Sequence, residues 1–296
     1  MSSDELMTEK TFIGVDLGGT TIAGGVVRGS DILALKTVPT RRERPVREIF
    51  DTITSVIRDV SKNYIIEGIG IGVPVPAGPG IDEILPCDNL PTMGNFPIRR
   101  ETEKCFNLPV LLENDAECMT IGENRAGALQ GCSYCACITL GTGLGFGLIF
   151  DGKLYRGIGT GAVEIWNFPF ENGTTLEDST AIRGLKSFYR EMSGIDREPE
   201  EIYERFREGD PTAAASFDRY GEAVGRAAAM VLCILDLEKI AIGGGIARAY
   251  DAFREGMLRI VEKTHGKQAV QRIVPATLSD KAAIIGAAAL VREKVV

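Results

Sequence analysis

FIGVDLGGTTIAGGVV, residues 12–27, and CITLGTGLGFGLIF, residues 137–150, are two versions of one pattern. Each is an apolar run of strand character, a turn of glycine and threonine, and a second apolar run. The copies begin about 125 residues apart, near the spacing of two domains. A short hairpin repeat would recur many times, whereas this pattern occurs twice. The simplest account is two related lobes, each giving one glycine hairpin to a shared cleft.

Outward from these stretches the chain reads as mixed α/β. DILALKTVP follows the first hairpin as a third strand, and residues 45–63 carry apolar residues at helical spacing. EGIGIGVPVP returns to a strand and ends in a Pro/Gly turn. A helix is expected over 98–106, then the short strand PVLLE, breaking at Asn114–Asp115 into a helix reaching about Asn124. After the second hairpin the chain is mostly helical up to Asp236. KIAIGGGI, a helix from about Tyr250, the strand RIVPA and a final helix from Asp280 complete it.

With 296 residues, 44% hydrophobic, the chain can bury sizeable cores. A net charge of −8 offers no basic field for nucleic acid. The longest apolar run, Ala227 to Leu235, is far short of the roughly 20 residues a bilayer requires. The polar, acidic start MSSDELMTEK has no signal-peptide core. Seven cysteines, an odd number within apolar stretches, suit reduced thiols in the cytoplasm. Cys132, Cys135 and Cys137 invite a zinc reading, but His265 is the only histidine, and core packing on one strand face accounts for the last two. His265 itself reads as a surface residue favoured by a helix dipole. Arg41, Arg42 and Arg44 read as a solvated loop.

Glycine turns between strands need no ligand, since glycine takes the required backbone angles at no steric cost. Two such turns, the first behind Asp16, also suit phosphate, because successive backbone N–H groups stand clear of side chains. These are Gly18, Gly19 and Thr20, and Gly141, Thr142 and Gly143. Asp16 could then hold Mg²⁺, through water, as that ion keeps most of its hydration shell. Neither turn is a P-loop or an NAD-type GxGxxG. Gly243, Gly244 and Gly245 form a third cluster at a strand-to-helix turn that would bring a nucleotide close to backbone. Asn114–Asp115 at a helix start fits capping and also a carboxylate that takes a proton from a hydroxyl.

DLGGT, GVPVPAGPG, DNLP, the END of residues 113–115, LGTGLGFGLIFDGKLYRG, Glu164 and IAIGGGI together resemble the ROK family of sugar kinases and sugar-responsive repressors, from about residue 11 to the end. The resemblance implies an α/β, two-lobed actin/hexokinase/Hsp70-like ATPase fold of duplicated ribonuclease-H-like lobes. Residues 1–114 would form the small lobe and 115–296 the large one, with the last helix packing back on the small lobe. It implies Asp115 as catalytic base, and Asn89, Asn114, Glu164 and Glu177 as sugar contacts. It further implies phosphate binding at Asp16 to Thr20 and Gly141 to Gly143, the nucleotide side at Gly243 to Gly245, and a homodimer. Asn167 stands where many members carry histidine, and NFPFENGTTLED lacks their cysteine-rich zinc loop. No zinc is therefore expected, and Asn167 is left as a donor to a sugar hydroxyl.

The expected activity is ATP- and Mg²⁺-dependent phosphorylation of a free hexose-type sugar, at the 6-hydroxyl by resemblance, in the cytoplasm. The partners are small molecules, with no nucleic acid or membrane. A sugar-sensing regulator would carry an N-terminal helix-turn-helix, for which a first strand at about Thr11 leaves no room. An ATPase acting on proteins would lack the sugar-type residues. Glucose, mannose, allose, fructose and N-acetylated hexosamines, and a donor such as polyphosphate, all remain open.

Overall fold

The computed structural model describes residues 10–159, 164–170 and 173–295. The chain forms two compact units: Met1–Gln130 with Arg156–Ala162 and Asp280–Val296, and Gly131–Tyr155 with Val163–Ser279.

The first unit is built on five strands, β1 (Thr11–Leu17), β2 (Thr21–Arg28), β3 (Asp31–Pro39), β4 (Ile66–Val73) and β5 (Val110–Asn114), in the order β3-β2-β1-β4-β5. β1 to β3 are antiparallel, while β4 and β5 run parallel to β1. Helix α1 (Val46–Ser61) buries Ile49, Phe50, Ile53, Val56, Ile57 and Val60 on one face, as its sequence spacing requires. Helices α2 (Ile98–Phe106) and α3 (Asp115–Ala126) follow. α2 closes on Asn107 in the left-handed conformation, a position Asn tolerates.

The second unit repeats the plan. Its strands are β6 (Cys135–Leu140), β7 (Leu144–Phe150), β8 (Lys153–Leu154), β9 (Lys239–Gly243) and β10 (Ile273–Pro275), in the order β10-β9-β6-β7-β8. The hairpin β6–β7–β8 is antiparallel, and β9 and β10 run parallel to β6. Strand for strand, β6 to β10 stand where β1 to β5 do, so the two glycine hairpins occupy equivalent places in two sheets of one topology. Helices α4 (Leu176–Thr180), α5 (Ile182–Ser193), α6 (Pro199–Arg207), α7 (Pro211–Leu235), α8 (Tyr250–His265) and α9 (Lys267–Val270) belong here. α7 is capped by Asp210, which accepts from the N–H groups of Thr212 and Ala213, with proline at its first position. Among the described residues no helix is long and apolar enough to cross a membrane. All seven cysteines are free thiols, Cys135 and Cys137 buried on β6. His265 is half-buried rather than fully exposed, with Nε2 2.9 Å from the Ala229 carbonyl oxygen of α7.

The last helix, α10 (Ala282–Val295), returns to the first unit. It lies on β1, β4 and α3 with backbone against backbone. A Cβ on Gly14 of β1 would stand 1.9 Å from the Ile284 carbonyl oxygen, and one on Gly70 of β4 1.8 Å from that of Ala287. α10 begins at Ala282, after a 3-10 turn at Ser279–Lys281 that takes up the expected first residues. The expected lobe boundary at 114/115 falls at the β5–α3 junction, whereas the units part at 130/131, because α3 packs on α10. Gly70→Ala should destabilise the protein by about 3 kcal/mol, since two backbones would have to separate. A denaturation midpoint unchanged by that substitution would contradict this packing.

Candidate active site

In the first unit, β1 delivers Asp16 to the mouth of the Gly18–Thr20 turn. The turn is closed by the Gly18 N–H donating to the Thr21 carbonyl (2.9 Å) and by the Thr40 hydroxyl donating to the Gly18 carbonyl (2.6 Å). Asn89 lies against this turn, for a Cβ on Gly19 would come 2.8 Å from its carbonyl oxygen. Burial, followed by the negative charges of Asp115 and Asp280, raises the Asp16 carboxyl from 3.8 to about 7. Three carboxylates thus share one field, and two of them were expected at the site.

Asn114 ends β5 and caps α3. Its Oδ1 accepts from the N–H groups of Ala116 (3.0 Å) and Glu117 (3.2 Å), while its Nδ2 donates to the Val75 carbonyl (3.4 Å). With the cap filled by Asn114, the next residue, Asp115, is not required as the cap. Its Oδ1 accepts from the adjacent Ala116 N–H at 2.8 Å, and the side chain is half-buried at the strand-to-helix elbow. Behind the elbow Glu113 is 1% exposed and accepts from Arg156 Nε at 2.7 Å. Sequence reasoning missed Arg156; the YRG that follows the second hairpin was its only signal.

In the second unit the Gly141–Gly143 turn is closed by the Gly141 N–H donating to the Gly143 carbonyl (3.0 Å). The Ile182 N–H, at the start of α5, donates to the Gly141 carbonyl (2.9 Å). Glu177 braces the turn: one oxygen accepts from the Leu144 N–H (2.8 Å) and the other from Arg183 Nη2 (2.6 Å). Both oxygens of this expected sugar contact are therefore engaged within the unit, though each keeps a further lone pair. Glu164 accepts from the Trp166 indole N–H at 2.5 Å. Loss of surrounding water raises its carboxyl, the indole lowers it, and the charge of Glu177 raises it again. Asn167 ends the 3-10 turn Ile165–Asn167 and is exposed.

The third cluster follows β9. Gly244 takes a positive φ of 84°, and a Cβ there would meet the Leu140 carbonyl oxygen at 2.4 Å, so glycine is required by packing against β6. Gly141 and Gly245 differ, for a Cβ on either would meet nothing within 4 Å. Open backbone of this kind can receive a ligand's oxygens. Among the described residues no three His, Cys, Asp or Glu side chains converge to grip a metal ion directly. A water-bridged ion beside Asp16 needs no such convergence, and the surplus negative charge of Asp16, Asp115 and Asp280 suits a hard cation.

The ROK family model matches residues 12–294. The chain belongs to the ROK family. It is 31% identical to a glucokinase from Thermotoga maritima, over 98% of this chain and 99% of that one. An N-acetyl-D-glucosamine kinase from Vibrio atlanticus is 27% identical over 94% of this chain and 99% of its own. Among solved structures, a ROK family glucokinase from Streptomyces griseus in complex with glucose and AMPPNP superposes with a TM-score of 0.82 at 28% identity, covering 96% of this chain and 99% of the other. The ROK member described above therefore has the actin/hexokinase-like ATPase fold, and its duplicated sheets are the two halves of that plan.

Proposed function

We propose that this ATP-dependent sugar kinase phosphorylates a free hexose-type sugar at the 6-hydroxyl, with Asp115 as general base. The observation that carries the reading is the β5–α3 elbow, where Asn114 fills the cap and Asp115 follows it, half-buried and in one field with Asp16. A kinase base must accept a proton as the sugar oxygen attacks phosphorus, and a carboxylate in hydrogen-bond reach of the hydroxyl does so. The oxygen–phosphorus bond forms, the bond from the γ-phosphorus to the bridging oxygen breaks, and ADP departs.

Asn89, Asn114, Glu164 and Asn167 supply planar amide and carboxylate groups, each able to engage neighbouring hydroxyls, and Glu177 holds the second hairpin in shape. The Gly18–Thr20 and Gly141–Gly143 turns offer backbone N–H groups to phosphate, with Gly243–Gly245 on the nucleotide side. Mg²⁺ bound beside Asp16 would draw charge from the phosphates. Relatives named for glucose and for N-acetylglucosamine both support a hexose-type acceptor and leave its identity to experiment. Free thiols and an ATP donor fit a cytoplasmic setting, and family resemblance supports a homodimer.

A coupled ADP-release assay with Mg-ATP against free hexoses and hexosamines tests the reading. One sugar should stimulate turnover well above the rest. If no sugar does, but one raises the melting temperature, the chain is a sugar sensor or a kinase that uses another donor.

A further inference from the structure

We propose that Arg156 is a positioning residue for phosphoryl transfer, acting through Glu113 on the backbone that carries Asn114 and Asp115. The proposal rests on the reading of Asp115 as base.

Glu113 lies at the end of β5 with its side chain 2% exposed, and a carboxylate so placed needs a partner. Arg156 supplies one with two nitrogens on a single oxygen: Nε at 2.7 Å and Nη2 at 2.5 Å, both to Oε2. The other oxygen, Oε1, accepts from the N–H of Asn114 at 3.3 Å. The charge pair therefore ends on the main chain of the residue that caps α3, one position before Asp115. Asn114 is held from a second side by its amide donating to the Val75 carbonyl at 3.4 Å.

Of these contacts only the pair with Arg156 joins charged groups, and it reaches across 43 residues of sequence from the segment following β8. Buried pairs of this kind add little net stability yet can fix one arrangement among several. The elbow is where that precision matters, because a base displaced by about 1 Å can lose a hundredfold in rate. Lysine could replace the charge but not the two-nitrogen grip, which depends on the flat guanidinium.

The test uses Arg156→Lys and Arg156→Met beside Asp115→Asn, with steady-state kinetics and hydrogen exchange on each folded protein. Arg156→Lys should lower kcat about tenfold and Arg156→Met about a hundredfold, with KM for ATP and sugar within about threefold. Exchange at the amides of Asn114, Ala116 and Glu117 should quicken in both variants, while exchange elsewhere in β1 and β4 stays slow. If kcat in Arg156→Lys stays within twofold of the unchanged protein, the proposal fails. It fails equally if exchange quickens uniformly through the sheet, the mark of plain destabilisation. Should Arg156→Met not fold, Arg156→Lys alone decides. Asp115→Asn separates the two readings: retained turnover there overturns the base assignment, whereas its loss beside a normal Arg156→Lys overturns only the role of Arg156.

Discussion

Replacing Asp115 by asparagine is expected to lower kcat by about 10²- to 10⁴-fold, the usual contribution of a positioned general base. Sugar affinity should change by less than about threefold, because asparagine keeps an oxygen of the same shape. The local structure is expected to tolerate the change: the α3 cap belongs to Asn114, and the Ala116 N–H that meets Asp115 Oδ1 at 2.8 Å can meet the amide oxygen as well. Single-turnover phosphorylation and sugar binding by calorimetry would be compared in the two proteins. Equal losses of rate and affinity would recast Asp115 as a binding group.

Asp16→Asn is expected to raise the stability of the metal- and nucleotide-free protein at pH 8 while removing Mg²⁺-dependent turnover. The Asp16 carboxyl titrates near 7 in the folded protein, against 3.8 as the ordinary value. Between those two pH values the folded protein keeps a proton that the unfolded chain has lost. The contribution of Asp16 to stability is therefore fully present below pH 4, declines as pH rises toward 7, and is lost above. The whole decline corresponds to up to about 4 kcal/mol, and the asparagine variant lacks it. Urea denaturation in EDTA at pH 5 and pH 8 measures the difference. A gap between the two proteins that is the same at both pH values would show that Asp16 ionises like an exposed carboxylate. Mg-ATP should narrow the gap at pH 8, since a ligand that binds the native protein stabilises it by mass action.

The hairpins at Phe12–Val27 and Cys137–Phe150 were legible because strand alternation and glycine turns are written locally. The same holds for α1 and α2, whose apolar spacing and flanking prolines fix their extents within a residue or two. The seat of the last helix was implied by the family resemblance but is not written in the helix's own residues. α10 reads AAIIGAAALV, apolar on every side, and nothing in that string says which sheet it covers. The answer lies in Gly14 and Gly70, more than 200 residues away, whose missing side chains admit it. Arg156 escaped for a like reason, since its partner is distant in sequence and both residues are ordinary by themselves. Glu177 was expected as a sugar contact, but the engagement of both its oxygens depends on Arg183 and on the hairpin's fold.

The placement of α10 sets an order of assembly during synthesis. Phe12, Ala23 and Val27 of the first sheet form their cluster with Ile284, Ala288 and Val291. At ribosomal speeds those partners emerge on the order of ten seconds after α3. Until then one face of the first sheet has only water or a chaperone against it. The second unit carries its cores within residues 131–279 and can close before the strands made first have found their last helix. The part of this kinase translated earliest is thus the part completed last, and a ribosome halted before residue 282 would release a chain with an open sheet.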